Sequence, residues 1–282
     1  MYYSEFTHPK DTRLNDGSSL EKTLQREINL AKNIQSKLLN APIPKMEKGE
    51  VIGSSLPARL IGGDYYDFYP LMNGKIRIVI GDVMGKGIPA AMLMILTRGA
   101  FRTAAESNSS PGETLASMNQ ALYNDLRTLK SFVTLFCADW DPVSNQLTYA
   151  NAGHNMPLFI NGEAGEVNGL PKVSGIMVGG LKNQTYEQKS IRLQSNDTVF
   201  FYTDGIIEAQ NNQGEQFQLI RLMNVLQEHY NNGVGEIEKN VLSSIEFFTE
   251  GAAQKDDITM VVLKLTYEES KITSLNSPVI HV

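Results

Sequence analysis

Three apolar runs in this chain end or begin on aspartate, and no other feature restricts its folding so narrowly. Asp82 closes IRIVIGD, Asp204 closes TVFFYTDG, and Asp256 with Asp257 opens DDITMVVLKL. Asp64 repeats the placement, following Gly62-Gly63 and opening a further run. Short β-branched and aromatic runs bounded by glycine and aspartate predict strands buried in a sheet. Read singly, each acid is explained as a turn or a solvated strand end. Read together, they predict a shared rim if the strand ends converge. Carboxylates gathered there repel one another unless a positive group stands between them. Oxygen donors with neither histidine nor cysteine beside them suit Mg²⁺ or Mn²⁺ rather than zinc.

The remaining pattern is that of a mixed domain. Strands are predicted at Val51–Pro57, Tyr65–Leu71, Lys75–Val83, Phe132–Asp139, Gln146–Ala150, Met156–Ile160, Tyr186–Leu193, Thr198–Thr203 and Ile258–Leu265. Helices are predicted at Pro89–Ser107, Glu113–Leu129, Gln216–His229 and Glu236–Glu250. Turn pairs such as Asn73-Gly74 and Asn161-Gly162 favour hairpins and antiparallel sheets. Helices inserted in pairs, rather than after every strand, make the class α+β.

Ahead of the strands, residues 1–18 read as a loose leader. A helix then runs from Ser18 or Ser19 to about Asn40, with Ser18 and Glu21 spaced as a capping box. Leu20, Leu24, Ile28, Ala31, Ile34 and Leu38 recur every three or four residues as a narrow apolar seam, and Pro42 and Pro44 stop the helix. Such a seam serves a helix packed on its own domain, or a partner helix in a coiled-coil-like pair.

Composition removes several classes. The chain has 282 residues, of which 41% are hydrophobic, and a net charge of -6. An acidic balance argues against nucleic acid and anionic membrane as partners. Cys137 is the only cysteine, so an intrachain disulfide and thiolate zinc clusters are excluded. The longest apolar run, Ile88 to Leu96, is too short to span a bilayer. A soluble cytoplasmic protein is the expectation.

Five segments in order, LIGGDYYDFY, GDVMGKGIPAAM, NAGHNMPL, FYTDGIIEA and DDITMVVL, lie within residues 57–266. Together they resemble the type 2C (PPM) protein phosphatases, in the SpoIIE-like bacterial branch that includes RsbU-like stress-response regulators. The resemblance implies an αββα sandwich of two antiparallel sheets flanked by helices. It also implies a division into leader 1–18, regulatory helix 19–45, phosphatase domain 49–267 and tail 268–282. It implies two Mn²⁺ or Mg²⁺ ions, with Asp82 bridging both and the Val83 carbonyl adding a ligand. Asp204 and Asp256 complete one shell, with Asp257 the neighbouring alternative and Asp67 a weaker extra, while Asp64 holds a water at the second ion. Arg59 stands where that family has a phosphate-binding arginine. Met84 replaces the histidine that animal and plant members carry as a candidate acid. His154 reads as structural, and Gly63 and Gly205 as serving turnover more than stability.

The implied activity is removal of phosphate from serine or threonine. The implied substrate is a phosphorylated STAS-domain anti-anti-sigma protein. The N-terminal helix would join a second copy or an upstream regulator. A non-catalytic pseudophosphatase that binds such a partner is the alternative. A nucleotide-binding reading of GDVMGKG is poor, because Gly81 to Gly85 leaves three residues where a Walker A loop needs four, and Gly87 follows Lys86.

Overall fold

Alternation decides which way each strand faces, and here both faces of the central strands are apolar. Such strands need cover on both sides. In the computed structural model, which describes residues 16–39, 43–107 and 110–266, the cover comes from a second sheet on one side and helices on the other. In chain order the elements are α1 (Asp16–Leu39), β1 (Glu50–Leu56), β2 (Tyr65–Pro70), β3 (Ile76–Val83), α2 (Ile88–Glu106) and α3 (Pro111–Thr128). They continue as β4 (Val133–Asp141), β5 (Gln146–Ala152), β6 (Leu158–Ile160), β7 (Val167–Gly169), β8 (Gln188–Arg192) and β9 (Thr198–Tyr202). The last are α4 (Asp204–Ile207), α5 (Gln218–Glu228), α6 (Val234–Thr249) and β10 (Ile258–Lys264).

One antiparallel sheet has the order β2-β3-β4-β5-β8 and the other β1-β10-β9-β6-β7. Ile76, Ile78 and Ile80 of β3 meet Val199 and Phe201 of β9 and Val261 and Leu263 of β10 in the space between the sheets. The opposite residues of the first sheet, including Val79, Val83 and the single thiol of Cys137, lie under α2 and α3. Phe200, Met260 and Val262 lie under α5 and α6. The αββα sandwich is therefore what the alternation of these strands builds.

The differences from the sequence reading have local causes. Helix α1 runs Asp16–Leu39, so Ser18 lies within the helix rather than at its first residue. The working capping box is Ser110 with Glu113, where Pro111 opens α3 two residues before the predicted start. The three-residue strand β7 and the four-residue helix α4 are too short to give a periodic signal. The leader at 1–15, Pro42 and the tail at 268–282 lie outside the described residues.

Helix α2 is fastened to the first sheet by a buried charge. Asp67 accepts two hydrogen bonds from Arg102, at 2.7 and 2.8 Å, and one from the Tyr65 hydroxyl at 2.9 Å. Arg98 approaches the same carboxylate at 3.7 Å. Removing one partner of such a pair strands a charge away from water. Arg102→Leu should therefore cost about 3 kcal/mol in chemical denaturation, and Asp67→Leu with Arg102→Leu should recover most of it. Equal stability of the single variant and the parent would refute this account.

Candidate metal centre

Strand phase brings the acids together. On β3 the inward residues are 76, 78 and 80, so Asp82 is next in that series. On β2, Tyr66 and Phe68 face inward, which sets Asp64 inward one step earlier, at the same end of the sheet. Asp67 has the opposite phase and holds α2, so it stands apart from the centre. Thr203 and Thr259 continue the inward series of β9 and β10. Thr203 donates its hydroxyl to Asp64 at 2.8 Å.

Asp64, buried, and Asp82, half-buried, stand together at the mouth of the inter-sheet space. Burial raises the pKa of Asp64 well above the ordinary value, and the Asp82 charge raises it further against the opposing threonine hydrogen bonds. Burial pushes Asp82 up to about 7, helped by the charges of Asp204, Asp256 and Asp257, while a hydrogen bond from Asp64 opposes the rise. Asp204 is raised by burial, by Glu208 and by Asp256, and is eased by the Gly205 N–H and by Lys86. Asp82 thus feels Asp64, Asp204, Asp256 and Asp257, and Asp204 feels Asp256, so these strand-end acids lie near one another.

The adjacent acids of β10 have different employment. Asp257 is buried, and its carboxylate accepts from the backbone N–H groups of Ala58 and Gly63 at 2.7 Å each and of Asp64 at 3.4 Å. It acts as a clamp on the loop that presents Asp64. Asp256 is partly exposed and meets the Lys86 ammonium at 2.6 Å. Lys86 also donates to the Lys255 carbonyl at 2.6 Å. The Lys86 ammonium offsets negative charge at Asp256 and eases that at Asp204. The sequence reading missed Lys86, whose partner lies far along the chain.

The surrounding residues complete the rim. Arg59 is exposed, and its guanidinium would lie 3.2 Å from a side chain added at Gly87, so it stands beside the Lys86 loop. The Val83 carbonyl faces Gly63 closely enough that a Cβ there would sit 3.1 Å from it and 2.9 Å from the Ala90 Cβ. At Gly205 a Cβ would lie 1.9 Å from the Asp257 carbonyl oxygen. Gly205 therefore serves the packing of α4 against the entry to β10. Met84 is exposed at the rim. His154 is buried and neutral, with burial lowering its pKa to about 4. Its Nδ1 pairs with Thr134 at 2.9 Å, and Asn151 bonds both its N–H and its carbonyl. Its Nε2 makes no hydrogen bond of good geometry, although the Tyr202 backbone opposes the effect of burial. It braces β4 near the end of β9.

Among the described residues, no three His, Cys, Asp or Glu side chains are already closed into a metal-holding group. The donor chemistry nevertheless fits a hard divalent cation, with oxygen donors only and three carboxyls, Asp64, Asp82 and Asp204, raised by burial and by neighbouring charge.

A sequence profile described as Stage II sporulation protein E (SpoIIE) matches residues 72–266. The chain is 28% identical over 245 residues to phosphoserine phosphatase RsbU of Bacillus subtilis, covering 87% of this chain and 72% of that protein. It is 28% identical to protein IcfG of a Synechocystis strain, but spans only 41% of its length. The SiaA-PP2C domain of Pseudomonas aeruginosa superposes with a TM-score of 0.75 at 22% identity, covering 89% of this chain and all of that one. RsbX in complex with magnesium superposes at 0.59 with 16% identity, covering 79% of this chain and 98% of that one.

The raised acids set a pH dependence. The folded protein holds the Asp82 proton more tightly than the unfolded chain, whose value is near 3.8. That stabilisation is fully present below the unfolded value and is lost as pH rises through about 7. In chelator, Tm should fall by several degrees between about pH 5 and 8, and Asp82→Asn should flatten the slope. Calorimetry across that range checks it, and a Tm that climbs with pH would contradict the assignment.

Proposed function

The chain belongs to the SpoIIE family of PP2C-type phosphatase domains, and on that premise we propose that it is a metal-dependent serine/threonine phosphoprotein phosphatase. The observation that carries this reading is the buried Asp64 beside the half-buried Asp82, with Asp204 and Asp256 near them. In this reading Asp82, the Val83 carbonyl, Asp204 and Asp256 hold two Mn²⁺ or Mg²⁺ ions, and Asp64 orients water beside them. Asp257 keeps Asp64 in place through the backbone rather than binding an ion. When bound, the ions supply Lewis acidity toward the phosphoryl oxygens and the attacking water. Arg59 offers a guanidinium fork to the phosphate from the open side. Burial between the sheets keeps Asp64 and Asp82 poorly solvated, so their charge is available to a cation rather than spent on water.

The substrate in this reading is a phosphoserine-bearing regulatory protein of the STAS-domain class. A non-catalytic binding module is the second reading, and the Lys86–Asp256 ion pair is the observation in its favour. Phosphate release decides between them. With Mn²⁺ present, p-nitrophenyl phosphate should be hydrolysed, and Asp82→Asn should lower the rate at least about a hundredfold while the protein stays folded. Chelator should abolish the activity reversibly. Full activity in excess chelator would sink the metal mechanism.

Helix α1 suits the regulatory role proposed for it. Leu20, Leu24 and Ile34 are 71%, 53% and 59% exposed, and Ala31 is exposed as well. Ile28 and Leu38 are half-buried. The helix touches the domain at its C-terminal end, where Leu39 enters the α2–α3 core. There the buried Gln35 amide donates to the Gly62 carbonyl at 2.7 Å and accepts from its N–H at 3.1 Å. A partner helix, from a second copy or an upstream regulator, covers the seam in this reading and acts on the Asp64 loop through Gln35. A coupling of about 1–3 kcal/mol changes activity several-fold to about a hundredfold. Leu24→Lys with Ala31→Lys should leave Tm within about 2 °C and change both self-association and phosphatase rate. A sharp fall in Tm with unchanged sedimentation would count against the exposed seam.

A further inference from the structure

Beside the acids lies a cavity of about 460 Å³ that none of the roles above uses. Its floor is apolar, built from Leu56 at the end of β1, Leu242 and Ile245 of α6, and Ile258 of β10. Gly205 and Asp256 form its wall on the side of the metal centre. Glu208 and Glu246 stand at its margin. The far wall is the segment from 251 to 255, and that segment is fixed: the Gln254 amide donates to the Leu56 carbonyl at 2.8 Å and to the Asp256 carbonyl at 2.7 Å. Concave apolar sites of this size with a few fixed polar groups are the usual form of a binding pocket.

We propose that this cavity is a substrate-specificity subsite, which takes an aliphatic or aromatic side chain of the phosphoprotein a few residues from its phosphoserine. The inference rests on the phosphatase reading. Continuity identifies the occupant. A phosphate held at the acids places its own polypeptide against Gly205 and Asp256, which are also the cavity wall. An extended chain advances about 3.3 Å per residue, so the next few side chains reach the floor. Glu208 and Glu246 disfavour a second phosphate or a carboxylate, the Lys255 ammonium and the Gln210 amide in the lining are engaged with each other, and Leu56, Leu242, Ile245 and Ile258 offer only apolar surface. An apolar side chain is the group whose burial there gains free energy.

The test uses synthetic phosphoserine peptides with alanine at every other position and a single leucine moved stepwise to either side. With Mn²⁺, one leucine position should raise kcat/KM about tenfold over the leucine-free peptide. Ala253→Trp, which fills the cavity from an exposed loop position, should erase that gain. Thr249→Trp, which fills it from α6, should do the same. Hydrolysis of p-nitrophenyl phosphate, too small to reach the cavity, should stay within about twofold in both variants. If no leucine position helps, or the gain survives in both filled variants, the subsite is overturned. If the parent protein hydrolyses neither peptide nor p-nitrophenyl phosphate, the phosphatase reading itself has failed, and the subsite falls with it.

Discussion

One carboxylate, that of Asp257, holds the first and last parts of the domain together. It sits at the entry to β10 in one sheet and grips the connection into β2 of the other through the N–H groups of Ala58, Gly63 and Asp64. Charged hydrogen bonds of this kind contribute more than neutral ones, about 1.5–3 kcal/mol each. Gln35 holds Gly62 from the opposite side. Three consecutive residues, 62 to 64, are thereby fixed from outside the loop. Glycine at 62 follows from this grip, since a Cβ there would lie 2.4 Å from the Asp257 carboxylate. The separation of Asp64 from Asp82 is then set by backbone anchored at both ends.

Much of the centre was legible because strand phase is written in the sequence. The inward series 76, 78, 80 leads to Asp82, and its neighbours on β9 and β10 obey the same period. Asp256 and Asp257 were harder to separate. They are adjacent and chemically identical, and only the phase of β10 with its loop contacts gives one to the backbone and leaves the other on the rim. Lys86 and Gln35 were invisible for a different reason. Each acts through a partner distant in sequence, and a lysine between glycines or a glutamine on an exposed helix has no local signature.

The fold followed a similar division. Long apolar strands buried on both faces lie within a residue or two of their expected bounds, whereas β7 and α4 fall below the length at which a period can be recognised. The serine-to-glutamate spacing forms a capping box at Ser110 with Glu113. There Pro111 fixes the entry to α3. Helix α1 shows how far a pattern can go without its context. Leu20, Leu24 and Ile34 are exposed, and exposure rather than periodicity separates such a face from one buried on its own domain.

Cys137 deserves a last thought as a reporter. Its thiol is the only one in the chain and lies fully buried on the face of the first sheet that α2 and α3 cover, where burial pushes its pKa far up. A thiol reagent reaches it only when that helical layer lifts away, and only the thiolate reacts. The rate of labelling is therefore a clock for opening of the layer, running inside the unaltered protein with no probe attached.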